Sequence, residues 1–306
     1  MTAQGLQKIV PNLWFSTNAE AAVNFYTEVF PHSATGSVMH YPTEGLPEFQ
    51  QPMAGKVLTM EFELNGYRLL AVNGGDEFAP NTAISFMLNF DPSQMENARE
   101  QMDVLWEKLA EEGDVLMPLG EYPFSSHYGW VQDKFGFSWQ LILTNPEGEP
   151  RPFIVPSLMF AGANQNKAEE AIRLYVSTFA DSRRGTTAPY PVQTGPATKG
   201  SVMFADFMIE SQWFAAMDSG VEQQVAFDES VSLIVNCADQ AEIDRLWDAL
   251  SADESYGQCG WLKDKYGVRW QIVPHNMGEL LSKNPAAMPA MMQMKKIIIK
   301  DLEEAR

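Results

Sequence analysis

Few residues in this chain are equipped for chemistry. The four histidines, His32, His40, His127 and His275, stand singly, with no H-x-x-x-H or H-x-H pair to set two imidazoles on one metal ion. Cys237 and Cys259 lack C-x-x-C spacing and are too few for a disulfide framework, so both are expected to be reduced thiols. A Trp-Gln pair occurs twice, as Trp139-Gln140 and Trp270-Gln271. Each amide could donate to and accept from a small polar ligand, or satisfy buried backbone or water. For acid-base work the best single candidate is His127, which ends the segment EYPFSSH, read here as a loop leading into the last hairpin of the first half. Loops bordering a cavity often carry function, and imidazole titrates near neutrality. His32 follows Phe30-Pro31 at a helix end and His40 lies on a strand before Tyr41-Pro42. Asp133 and Asp264 each precede a glycine by three residues, which assigns them to tight turns rather than to catalysis.

The elements that position these residues form a repeat. GWVQDKFGFSWQLIL at 129–143 matches GWLKDKYGVRWQIVP at 260–274. Four further landmarks recur in the same order: IVPNLWF with IVPSLMF, FYTEVF with LYVSTF, ISFMLN with VSLIVN, and DVLWEKL with DRLWDAL. NPEGEPRP at 145–152 has the composition of a linker and places two domains at 1–147 and 148–306. In the first half a strand at 9–15 runs into Ser16-Thr17-Asn18, good N-cap types, and a helix striped by Ala22, Phe25, Tyr26, Val29 and Phe30. Three β-like runs follow, the last two joined by Asn65-Gly66, a strong hairpin signal. A second unit has a strand at 83–90, a helix striped by Met95, Ala98, Met102, Leu105 and Leu109, and a closing hairpin around Asp133. The second half repeats the plan, with strands near 200–217, a helix at 240–250 and a hairpin at 259–273. A tail then places Met288, Met291, Met292, Lys295, Ile298, Ile299 and Leu302 at the spacing of one packed helix.

At 306 residues the chain is long enough for two domains of ordinary size, each with its own core. Forty acidic against 21 basic residues give a charge of -19, which opposes nucleic acid and anionic membrane surfaces as partners. The start, MTAQGLQKIVPNLWF, has no secretory pattern and no apolar run reaches bilayer-spanning length, so a cytoplasmic protein is expected.

The paired β-α-β-β-β units, the Phe-Tyr of the first helix and the final D-x-F-G-x-x-W-Q hairpin resemble the glyoxalase/bleomycin-resistance (vicinal oxygen chelate) superfamily. The W-x-x-D-[KR]-[FY]-G-[VF]-x-W-Q run and the M-x-K-[IL]-x-I-x-x-L tail look like its PhnB-like branch, some members of which carry a 3-demethylubiquinone 3-methyltransferase label. The resemblance implies an α+β fold of four β-α-β-β-β modules in two tandem domains. It also implies that each two-unit domain curls its sheet around a cavity with four ligand positions. These fall at Pro11 or Asn12, Leu70 or Ala71, Ser85 and Gln140 in the first half, and at Pro156 or Ser157, Ala215 or Ala216, Ser232 and Gln271 in the second. Proline, alanine and leucine offer no donor, and a serine plus an amide cannot replace anionic and imidazole ligands, so no metal and no cofactor are expected. Nor does Gly74-Gly75-Asp76 lead from a strand into a helix, as a nucleotide or S-adenosylmethionine turn would.

Trp130 follows Ser85 by 45 positions, whereas Trp261 follows Ser232 by 29, so the second copy lacks most of the segment holding His127. That asymmetry points to one functional cavity, in the first domain, bordered by a loop at 110–128. The candidate ligand-binding residues are Gln140, Ser85, Asn12, Trp130, His40, Gln271 and Ser232. Trp130, Trp139, Trp261 and Trp270 serve packing or ligand stacking. The leading expectation is metal-independent binding of a small, partly apolar molecule. Its rivals are an enzyme on the same fold using His127 or the glutamines, and an assembly protein without ligand. The copies are expected to pack as an intramolecular pseudo-dimer, and further homo-oligomerisation stays open.

Overall fold

The computed structural model of the chain describes residues 7–46, 48–253 and 255–306. The first unit is β1 (Ile9–Phe15), α1 (Ala19–Val29), β2 (Ala34–His40), β3 (Val57–Leu64) and β4 (Tyr67–Asn73). The second is β5 (Ile84–Phe90), α2 (Ala98–Ala110), β6 (Asp114–Tyr122), β7 (Ser125–Gln132) and β8 (Ser138–Leu143). The third is β9 (Ile154–Phe160), α3 (Ala168–Thr178), β10 (Arg183–Pro189), β11 (Val202–Ile209) and β12 (Gln212–Asp218). The fourth keeps β13 (Val231–Cys237), α4 (Gln240–Leu250), β14 (Trp261–Lys263) and β15 (Arg269–Pro274), among the described residues one strand short of the others. The chain is thus α+β.

Local chemistry accounts for several of these elements. Asn65 and Gly66 adopt φ of 49° and 76°, the double positive φ of a type I′ turn whose twist suits the β3–β4 hairpin. Ala19, Ala22, Val23 and Tyr26 bury one stripe of α1. Asn18 is its N-cap residue but makes no side-chain capping bond. The capping oxygen comes instead from the end of β4, where Asn73 Oδ1 accepts from the Ala19 amide at 3.0 Å. Asp218 Oδ1 at the end of β12 does the same for Ala168 at 3.1 Å, so each first helix is capped by the last strand of its own unit.

The sheets correct the expectation that each half curls around a cavity of its own. One sheet has the order β14-β15-β13-β1-β4-β3-β2 and joins the first unit to the fourth; the other, β10-β11-β12-β9-β5-β8-β7-β6, joins the second to the third. The two seams are equivalent. Antiparallel β1 and β13 pair Asn12 with Ser232, while β9 and β5 pair Ser157 with Ser85. Because β1 repeats as β9 and β5 repeats as β13, the halves exchange strands as a two-fold dimer would, within one chain. The helices α1 to α4 and one face of each sheet share a single core holding Trp139 and Trp270, both fully buried.

Two further expectations change. The stretch 110–128 is not a loop but mostly the irregular hairpin β6–β7, whose register shifts three times. The tail is not one helix: α5 (Met277–Lys283), α6 (Ala287–Met291) and α7 (Ile299–Glu303) are separate, and between the last two the chain passes close enough to bond the two residues just before β14. Met294 and Lys295 carbonyls accept from the Cys259 and Gly260 amides at 2.8 and 2.7 Å. The tail thereby covers part of the edge left open by the missing strand. Among the described residues no helix is long and apolar enough to cross a membrane.

Candidate functional site

Strand alternation sends Trp139 and Trp270 into the shared core and Gln140 and Gln271 to the opposite face of each sheet. Two polar clusters result, related by the internal two-fold. Ser85, Gln140 and Ser157 lie on the second-third sheet, and Asn12, Ser232 and Gln271 on the first-fourth sheet. Each therefore draws on both halves of the chain.

The first of these clusters is closed. Gln140 Nε2 donates to Ser85 Oγ at 2.7 Å, and Gln140 Oε1 accepts from the Tyr128 hydroxyl at 2.7 Å. Burial raises the Tyr128 pKa, so its hydroxyl remains a donor. Met87, Val155, Trp213 and Ala215 pack over the same face and leave it buried. The linker seals it: the Arg151 guanidinium stacks 3.8 Å over the Trp213 ring and donates to Asp206 at 2.8 Å, and Arg183 adds a second cation 4.6 Å from that ring. Ser157 Oγ is buried with no partner. Trp130, opposite Gln140 on β7, spends its Nε1 on Ser138 Oγ at 2.6 Å.

The equivalent cluster on the other sheet is open. Gln271 Nε2 and Asn12 Nδ2 both donate to Ser232 Oγ, at 2.9 and 3.2 Å. Asn12 Oδ1 is buried without a partner, and among the described residues nothing donates to Gln271 Oε1. The residue in Tyr128's place is Cys259, whose φ of 55° turns its Sγ to Met292 Sδ at 3.6 Å. In the place of Trp213 stands Arg68, which pairs at the rim with Glu61 at 3.6 Å. Leu70, Val72, Ile234, Trp14 and Trp261 remain half-buried around the amides. Trp14 is fixed by its Nε1 donating to the Gly75 carbonyl at 2.8 Å and by the edge of Phe78 at 5.2 Å. A Cβ on Gly74 would fall 2.1 Å from the Trp14 ring, so this wall requires glycine.

His127 lies apart from both clusters. It follows the alternation of β7 opposite to Tyr128, and its Nε2 sits 2.5 Å from Asp103 Oδ1 on α2, with Arg99 3.3 Å from Nδ1. It is buried against a helix rather than poised on a loop over Gln140. His40 is exposed on the edge strand β2. Sequence reasoning missed one arrangement. Asp133 Oδ2 accepts from Tyr26 and Trp139 at 2.7 and 2.8 Å while Oδ1 takes the Phe135 and Phe137 amides. Asp264 does likewise with Tyr175, Trp270, Tyr266 and Val268. Burial pushes both carboxyls up while these donors pull them down. The signal was present in the joint recurrence of the helix tyrosine with D-K-[FY]-G-x-x-W.

Of the ligand positions that the sequence resemblance implies, the sheets bring together Asn12, Leu70, Ser232 and Gln271 on one side, and Ser157, Ala215, Ser85 and Gln140 on the other. Neither set contains a carboxylate or imidazole, and the amide nitrogens are turned to serine hydroxyls, so the residues do not fit a divalent cation. Among the described residues no three His, Cys, Asp or Glu side chains form another such cluster.

The model of the 3-demethylubiquinone-9 3-methyltransferase family matches residues 7–142 and again 152–273. No curated protein matches the sequence. Among solved structures, the PhnB protein of Bacillus cereus is 37% identical over 45% of this chain and 100% of its own, with a TM-score of 0.39. A protein of Pseudomonas aeruginosa is 22% identical over 45% of this chain and 97% of its own, at 0.37. Glyoxalase I of Zea mays is 14% identical over 90% of this chain and 95% of its own, at 0.49. With the family model matching both copies of the repeat, the chain belongs to the PhnB-like 3-demethylubiquinone-9 3-methyltransferase family, as a tandem duplication.

Proposed function

We propose that the protein binds a small, partly apolar molecule, without a metal, on the first-fourth sheet at Asn12, Ser232 and Gln271. The observation that carries this reading is the unequal state of two equivalent amides: Tyr128 satisfies Gln140 Oε1, whereas Gln271 Oε1 and Asn12 Oδ1 lack donors. Asn12 Oδ1 is the buried one of the two, and a buried polar atom without a partner costs about 1–3 kcal/mol, so a ligand that supplies it a hydroxyl or amine proton relieves a cost already present in the fold. Ser232 Oγ already accepts two hydrogen bonds, which leaves its own proton to donate. Leu70, Val72, Ile234, Trp14 and Trp261 suit the apolar body of such a molecule. No reaction is assigned. The methyl-transfer label of the family finds no glycine-rich cradle here, since Gly74 and Gly75 serve the wall at Trp14.

A thermal-shift screen with aromatic and alicyclic alcohols and amines tests it, since a ligand of the native state alone raises apparent stability. A hit on the wild type should lose its shift in Gln271→Ala and keep it in Gln140→Ala. Retention in Gln271→Ala, or the absence of any saturable hit, would overturn the reading.

A further inference from the structure

We propose that the groove between the C-terminal end of α1 and helix α2 binds a small alkylguanidinium compound, seated as an arginine side chain of the protein's own second half is seated. In that half Arg245 on α4 reaches the end of α3 and donates from Nη1 to the Thr178 carbonyl at 2.5 Å, with Nη2 3.8 Å from Glu242. The repeat aligns Val104 with Arg245 and Val29 with Thr178. Valine is too short to reach across, and the first half has instead an open groove of about 470 Å³ whose lining includes Glu28, Val29, Phe30, Glu100, Val104 and Leu105.

Each part of this groove suits that ligand. Among the described residues no side chain donates to the Val29 carbonyl, one of the acceptors that a helix leaves at its C-terminal end. The same end carries the negative pole of the helix, and Glu28 and Glu100 add two carboxylates at the rim. Val104 is 61% exposed on α2 and lines the groove, an apolar side chain well placed against a methylene stem. A guanidinium presents five donors in a fixed plane and can bond a carbonyl and a carboxylate together, whereas an ammonium acts as a point charge that holds its water more tightly. The net charge of -19 favours a cationic guest in general but does not distinguish these two heads.

The test titrates the full chain with n-butylguanidinium and, separately, n-butylammonium, read by backbone amide resonances. The guanidinium should give saturable shifts at residues 28–33 and 97–105 with one equivalent bound, and the ammonium should bind roughly tenfold more weakly. Val104→Arg, which supplies the group in cis, should abolish the shifts while leaving resonances outside the groove unchanged. Arg245→Val should open a second equivalent, with new shifts around 177–180 and 238–246. Shifts that persist in Val104→Arg, equal binding of the two cations, or no saturable shift would each overturn the proposal.

Discussion

The outer faces of the two sheets are built from the same repeat and have come to opposite ends. On one, Tyr128, Met87, Val155 and Trp213 fill the space over Gln140 and the linker arginine lies across the top. On the other, Cys259 and Arg68 stand where Tyr128 and Trp213 would, and no described residue donates to the Gln271 oxygen. The lesson is that a site in a duplicated fold is opened by losing its covering residues as readily as by gaining polar ones. The glutamine, the serine and the tryptophan beside them are common to both faces, so they cannot by themselves mark the functional one.

The comparison rests on a frame that both halves share, and breaking that frame should have the largest effect. Asp133→Ala and Asp264→Ala each leave a tyrosine hydroxyl, an indole N–H and two backbone amides without their acceptor. Each should cost about 3–5 kcal/mol in urea unfolding, and by similar amounts. Tolerance of one substitution but not the other would show that the halves are not held alike.

A smaller effect separates the faces themselves. Tyr128→Phe removes the hydroxyl that donates to the buried Gln140 oxygen and should cost about 1–3 kcal/mol, read as a lowered midpoint of unfolding. Gln271→Ala, on the half-buried face, should cost under about 1 kcal/mol without ligand. Equal losses would contradict the description of one face as closed and the other as open.

The smallest effect concerns the thiols and leaves stability untouched. Burial pushes Cys237 up to about 12, and at neutral pH almost none of it is thiolate. Cys259, partly exposed beside Met292, is raised less. Native alkylation with iodoacetamide, followed by mass spectrometry, should label Cys259 slowly and Cys237 more slowly still. Faster labelling of Cys237 would mean that the sheet around it opens.

Much of this architecture was legible in the residues. The recurrence of Trp-Gln at equal offsets gave the duplication, Asn65-Gly66 gave a hairpin, and the stripe from Met102 to Leu109 gave a helix whose repeat ends at Leu250. Alternation alone told which side of its strand Gln140 takes. What could not be read was which units would share a sheet. Strands β1, β5, β9 and β13 are all largely buried on both faces and each carries one Asn or Ser at the seam, so any of them suits a central position, and the choice is made by packing across the whole molecule. His127 was misplaced for a related reason. Pro118 and Gly120 make 114–122 read as loop, yet the segment forms an edge strand whose shifted register tolerates both. The open amide at Gln271 follows from Cys259 standing against Tyr128 in the repeat, a difference that tells nothing until the tyrosine hydroxyl is seen on Gln140.

The strand exchange has a consequence for the order in which the molecule is made. The second-third sheet is drawn from one continuous stretch, 84–218, and its seam can close as soon as that stretch is available. The first strand has to wait, because the residue opposite Asn12 is Ser232, 220 positions later. At ~5–20 residues per second a ribosome takes on the order of ten to forty seconds to cover that distance. During that time β1 offers an unpaired edge to whatever is nearby, so the nascent chain depends on a partner it has not yet received, and a neighbouring polysome could supply the wrong copy of β13.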